Sequence, residues 1–237
     1  MTAAGTTIDE DLHWRDIPFE GAPPLGRDEV HVWRAQVFRD ARRGHAMLTD
    51  AERERAQRFR LAEDRQRFEA TRSLLRVILG RDLNRPPASL RFSCTAFGKL
   101  FIDDPQNPGT IMFNVAHSGD CALLAFGCAL DVGVDVEDLR IERSIVELGK
   151  AALTPPEYAR LLALPEEERK ADFLQTWTRR EALGKALGVG ISAVTGAPQA
   201  PADLAQWCVR DLDVGEHYVA ALAARARQVR LRLWNGT

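Results

Sequence analysis

Alternation of apolar and polar residues marks the first clear element. His31-Val-Trp-Arg-Ala-Gln-Val37 has the period of a half-buried strand. Further strands are predicted at Leu90–Cys94, Leu100–Ile102, Ile111–Phe113, Cys121–Phe126 and Gly133–Asp138. Residues 1–30 carry Gly, Pro and acidic residues without a period and read as loop. Helical spacing takes over between these strands. Thr49 with Glu52 three residues later forms a capping box. Phe68, Leu75, Ile78 and Leu79 then mark one face of a helix over Asp64–Leu79, with Gly80 as its stop. Between Phe113 and Cys121 the pattern predicts a loop that carries His117.

The second half of the chain repeats the first in outline. Leu153-Thr154-x-x-Glu157-x-x-Arg160 matches Leu48-Thr49-x-x-Glu52-x-x-Arg55. A helix that opens with Thr178-Arg179 and ends at Leu187-Gly188 matches one from Thr71-Arg72 to Leu79-Gly80. Strands follow in each half, the later ones at Trp207–Val209 and Tyr218–Leu222. These ordered matches predict an α+β fold of two pseudo-symmetric halves, 1–129 and 130–237, joined near Ala129–Asp131. A ligand cleft is expected where such halves meet.

Composition narrows the function classes. A chain of 237 residues with 45% hydrophobic and 28% charged residues is ordinary for a globular protein. A net charge of −2 gives no global basic field for nucleic acid. Cys94, Cys121, Cys128 and Cys208 fit neither a zinc spacing nor a disulfide framework, so reduced thiols in a cytoplasmic protein are expected. The acidic, polar start is not read as a signal peptide. The longest apolar run, Cys121–Leu130, is too short for a membrane span.

Two stretches carry candidate chemistry. In Gly133-Val134-Asp135-Val136-Glu137-Asp138, strand alternation puts Asp135 and Glu137 on one face and the valines on the other. The carboxylates would sit about 7 Å apart along the strand. They suit a hard divalent ion such as Mg²⁺, but also an ordinary strand with one wet face. In the helix from Phe173 to Gly188, Trp177, Glu181 and Lys185 recur every four residues on one slowly drifting face. A surface Glu–Lys pair would look the same, except that the Trp implies partial burial.

Three ordered segments together resemble the Sfp-type 4′-phosphopantetheinyl transferases, the larger, two-halved members of their superfamily. They are Phe113-Asn114-Val-Ala-His117-Ser118, Gly133-Val-Asp135-Val-Glu137 and Trp177-Thr-Arg-Arg180-Glu181-Ala-Leu-Gly-Lys185, with Gly98-Lys99 as a weaker fourth match. The resemblance implies transfer of the 4′-phosphopantetheine arm of coenzyme A to a serine of an apo acyl- or peptidyl-carrier protein. Adenosine 3′,5′-bisphosphate is the other product, and Mg²⁺ or Mn²⁺ the cofactor. It implies a metal set of Asp135, Glu137 and Glu181, with Glu181 and Lys185 as catalytic groups. It implies coenzyme A contacts from His117, Lys99, Lys185, Arg55, Arg67, Arg180 and Asp135. Leu187, Val189 and Ile191 would face the carrier. A monomer without nucleic-acid or membrane partners, serving polyketide or non-ribosomal peptide synthesis, completes the expectation.

Three positions depart from the family pattern. Ala116 stands where a serine is common, Arg180 where a lysine is common, and Glu52 where some relatives are basic. Two rival readings remain at this point: another Mg²⁺-dependent phosphoryl transferase on the same carboxylates, or a carrier- or nucleotide-binding module without turnover.

Overall fold

Trp33 and its neighbours form the strand from which the larger sheet grows. The computed structural model describes residues 13–19, 21–37, 47–104, 110–189 and 204–236. Its strands are β1 (Arg15–Ile17), β2 (Glu29–Gln36), β3 (Phe92–Cys94), β4 (Leu100–Ile102), β5 (Ile111–Ser118), β6 (Cys121–Cys128), β7 (Val132–Asp138), β8 (Cys208–Leu212), β9 (Tyr218–Ala224) and β10 (Arg230–Gly236). Its helices are α1 (Asp50–Gln57), α2 (Ala62–Asp82), α3 (Ile145–Ala152), α4 (Pro155–Ala163) and α5 (Glu166–Leu187). Five strands lie in the order β1-β10-β2-β6-β5, three in the order β7-β9-β8, and β3-β4 is a separate hairpin.

Period-2 burial explains the layering. Val30 and Val32 on one face of β2, with Leu123 and Ala125 of β6, pack against Val134 and Val136 of β7 and Leu222 of β9. The opposite face, with Trp33, Leu124 and Phe126, packs on Leu74, Leu75, Ile78 and Leu79 of α2. Ala182 and Ala186 of α5 cover Ala221 and Ala223 of β9. The order of layers is therefore α2, large sheet, small sheet, α5. No helix among the described residues is long and apolar enough to cross a membrane.

The two sheets share a plan. β2 pairs antiparallel with β6, and β6 with β5; β7 pairs antiparallel with β9, and β9 with β8. Both capping boxes form. Each capping-box glutamate is also gripped by an arginine of the long helix that follows. Arg76 Nε and Nη2 donate to Glu52 at 2.8 and 2.9 Å. Arg180 Nη2 donates to both Glu157 oxygens, at 2.6 and 2.8 Å. Strand β10 breaks the symmetry by pairing in parallel with β2 of the larger sheet.

The second clamp makes stability depend on pH. Burial alone would raise the Glu157 pKa, but the Thr154 hydroxyl and amide and the Arg180 guanidinium hold it at about 2. A carboxylate with a depressed folded pKa stabilises the fold above its unfolded value and loses that contribution as pH falls through the folded one. Glu157 is partly exposed, so the contribution at neutral pH is about 1–2 kcal/mol. Glu157→Gln is expected to remove it and to flatten the dependence of the urea midpoint on pH from about 4.5 down to about 2. An unchanged acid limb would assign that pH dependence to other carboxylates.

Three expectations are corrected. α2 does not stop at Gly80 but runs to Asp82. A Cβ on Gly80 would fall 2.8 Å from the Arg85 carbonyl, so this glycine permits a close approach. Asn114 and His117 lie on β5, paired with β6, rather than in a loop. Within residues 1–30, Arg15–Ile17 forms a short strand on β10 and β2 begins at Glu29.

Candidate active site

Gly133 explains how the helix stripe reaches the carboxylate strand. A Cβ there would stand 2.0 Å from the Ala182 carbonyl oxygen and 2.4 Å from the Ala186 nitrogen. With hydrogen in its place, α5 lies directly on β7. Val134 and Val136 point into the core between the sheets, and Asp135 and Glu137 point the other way, toward α5. Trp177 packs near Phe173, with ring centroids 6.0 Å apart, so it anchors the stripe that presents Glu181 and Lys185.

Charge is unevenly balanced at this junction. Lys185 Nζ donates to Asp135 Oδ1 at 2.7 Å and to the Val134 carbonyl at 3.3 Å. Asp135 is 6% exposed, and its Oδ2 is buried without a hydrogen-bond partner. Burial raises the Asp135 pKa to about 6; Lys185 opposes the rise, and Glu137 and Glu181 add to it. Glu181 is half-buried, and desolvation raises its pKa too, with Lys185 opposing and Glu137 adding. Glu137 pairs with Arg143 at 2.9 Å and accepts a bond from the Ser118 hydroxyl at 3.3 Å.

These residues fit a divalent cation. The donors are hard carboxylate oxygens, one of them buried and unsatisfied, and two of the three carboxyls are pushed toward protonation by burial and by one another, against the pull of Lys185. Among the described residues no group of three or more His, Cys, Asp or Glu is already arranged to hold a metal ion. Lys185 and Arg143 occupy the carboxylates instead.

Beside this cluster lies a cavity of about 340 Å³, with Arg55, Arg72, Lys99, His117 and Lys185 in its wall. Phe68, Phe113 and Leu75 supply apolar lining, so the space is cationic on some sides and greasy on others. The Lys99 ammonium donates to the Ala186 carbonyl at 2.7 Å, and desolvation lowers its pKa, opposed by Asp131. The His117 pKa is lowered by desolvation, then by the positive charges of Arg67 and Lys185. Lys185 is shared: it lines the cavity and pairs with Asp135.

Of the predicted coenzyme A residues, Arg55, Lys99, His117 and Lys185 meet at this cavity. Arg67 stands beside it, donating to the Gly119 carbonyl at 2.9 Å and pairing with Asp64. Asp135 reaches it only through Lys185. Arg180 is not brought there; besides Glu157 it donates to the Ala152 carbonyl at 2.9 Å. Val189, predicted to face a carrier, is part of the cavity wall. Leu187 is half-buried at the end of α5, and Ile191 lies outside the described residues.

Two of the three departures lose their force. Ala116 is 4% exposed and packs in the core with Val134 and Val136, so its side chain faces away from the cavity. The Glu52 carboxylate is held by Arg76, with Arg72 Nε at 3.6 Å, and does not line the cavity. Arg72 is the cavity residue that sequence reading missed. Its guanidinium lies 5.5 Å from the Phe68 ring centre and 5.2 Å from that of Phe92.

A cavity with cationic walls thus meets a carboxylate cluster at Lys185. A profile of the 4′-phosphopantetheinyl transferase superfamily matches residues 131–234, and one of the 4′-phosphopantetheinyl transferase N-terminal region matches residues 33–128. The chain is 33% identical to the 4′-phosphopantetheinyl transferase HetI of a Nostoc species, over 88% of this chain and 92% of the relative. It is 29% identical to the 4′-phosphopantetheinyl transferase Sfp of Bacillus subtilis, over 62% of this chain and 63% of the relative. Against the human L-aminoadipate-semialdehyde dehydrogenase-phosphopantetheinyl transferase it is 32% identical, over 59% of this chain and 48% of the relative. The chain belongs to the 4′-phosphopantetheinyl transferase superfamily, whose members move the phosphopantetheine arm of coenzyme A onto carrier proteins.

Proposed function

We propose that this chain performs that transfer through the residues described above, in a Mg²⁺-dependent reaction at the seam between its 1–129 and 130–237 halves. The observation that carries the reading is Lys185, which joins the cationic cavity to the carboxylate cluster. Arg55, Arg72, Lys99 and His117 hold the nucleotide end of coenzyme A through its phosphates. Asp135, Glu137 and Glu181 would hold Mg²⁺. The ion, or Mn²⁺ in its place, would supply charge neutralisation to the pyrophosphate and the developing transition state.

The serine hydroxyl of the carrier attacks the β-phosphorus of coenzyme A. A P–O bond to the serine forms, and the P–O bond to the bridging oxygen breaks. That oxygen departs with adenosine 3′,5′-bisphosphate, and Lys185 balances its charge. Glu181 takes the serine proton, directly or through water. Leu187 at the end of α5 would meet the carrier together with Ile191. A single chain is part of the same proposal, since both halves of the cleft are in one sequence; so are a cytoplasmic location and polyketide or non-ribosomal peptide carriers.

The test is to incubate the protein with coenzyme A, Mg²⁺ and a panel of apo carrier domains and to weigh the carriers by intact mass spectrometry. A gain of one phosphopantetheine group is expected, lost with chelator and restored by Mg²⁺ or Mn²⁺. Coenzyme A binding without any carrier gain would favour a binding module. No coenzyme A binding would overturn the reading.

A further inference from the structure

The two sheets meet at two edges. β5 ends the five-stranded sheet and β7 ends the three-stranded one, and neither sheet includes the other's strand. An edge strand presents backbone N–H groups that need partners when buried. Two side chains of β5 supply them. Asn114 Oδ1 accepts from the Val134 N–H at 3.0 Å, and Ser118 Oγ accepts from the Asp138 N–H at 3.0 Å. The acceptors are four residues apart on β5 and the donors four residues apart on β7, both in the same chain direction. The rungs therefore fix one parallel register between the edges.

Each rung also touches the chemistry. Ser118 is 8% exposed and donates its single hydroxyl proton to Glu137 Oε2 at 3.3 Å. The Val134 carbonyl, on the residue held by Asn114, accepts from Lys185 at 3.3 Å, and Asp135 follows it directly. His117, between the two rung residues, lines the cavity. A slip of β7 along β5 would move Asp135 and Glu137 relative to anything bound at His117.

We infer that Asn114 and Ser118 are positioning residues: their side-chain rungs hold the carboxylate strand in register with the pocket strand. The inference rests on the functional reading above. Alanine at 118 removes an acceptor from a buried N–H without touching the pocket wall, whereas Asn114 also lines the cavity. Threonine at 118 keeps the hydroxyl.

The experiment uses the full chain. Amide hydrogen exchange and the coenzyme A Kd are measured without metal; kcat and KM for coenzyme A are measured with an apo carrier. Ser118→Ala is expected to speed exchange at Asp138 and to leave the Kd and KM within about threefold, while kcat falls about 30- to 100-fold. Ser118→Thr is expected to restore both protection and kcat to within about threefold. Asn114→Ala is expected to speed exchange at Val134; since Asn114 also lines the cavity, the Ser118 pair decides between kcat and affinity. Three results would overturn the inference: Ser118→Ala behaving as wild type, threonine doing no better than alanine, or a loss confined to coenzyme A affinity. A wild-type protein that neither binds coenzyme A nor modifies a carrier would overturn the functional reading instead.

Discussion

Glu181→Gln is expected to lower the rate of carrier modification about a thousandfold, with coenzyme A affinity changed no more than a few-fold. The side chain is half-buried on α5, and among the described residues its carboxylate makes no hydrogen bond. Desolvation raises its pKa, Lys185 pulls it back, and Glu137 adds to the rise. The amide removes the charge and the basicity but almost no volume, so α5 keeps its seat on Gly133. Initial rates by intact mass, beside calorimetric titration of coenzyme A, separate the two effects. Transfer within tenfold of wild type would pass the proton to a water and leave Glu181 no role as base. A coenzyme A affinity that collapsed along with the rate would place Glu181 in donor binding instead.

The carboxylate strand was legible because alternation and burial agree. Val134 and Val136 enter the core, and Asp135 and Glu137 face the helix, as period 2 requires. The capping boxes were legible for the same local reason: all their partners lie within four residues. What the sequence concealed was long-range. Nothing local shows that Arg180 serves the Glu157 box rather than a ligand, or that Arg76 does the same for Glu52. Arg72 was hidden among many arginines, since only the fold decides which of them turns inward. Ala116 shows the same problem on a strand. Motif matching marks Ala116 as a departure, whereas strand alternation sends that side chain to the core.

Gly133→Ala is expected to be the most damaging small substitution in the site. The added methyl would meet the Ala182 carbonyl oxygen and the Ala186 nitrogen, both helix backbone, which no rotamer change can move aside. The helix must lift, at a cost of about 3 kcal/mol by the usual scale of overpacking. Lifting α5 carries Glu181 and Lys185 away from β7, so the Lys185–Asp135 pair at 2.7 Å opens and the link between cavity and carboxylates is lost. Transfer is therefore expected to fall at least about a hundredfold even at temperatures where the variant stays folded. Urea midpoints and the far-ultraviolet spectrum report the first effect, and initial rates at low temperature report the second. A variant as stable and as active as wild type would mean that α5 does not lie on the strand here. A stability loss with full activity would mean that the helix seat and the catalytic geometry are independent, which the shared Lys185 contact argues against.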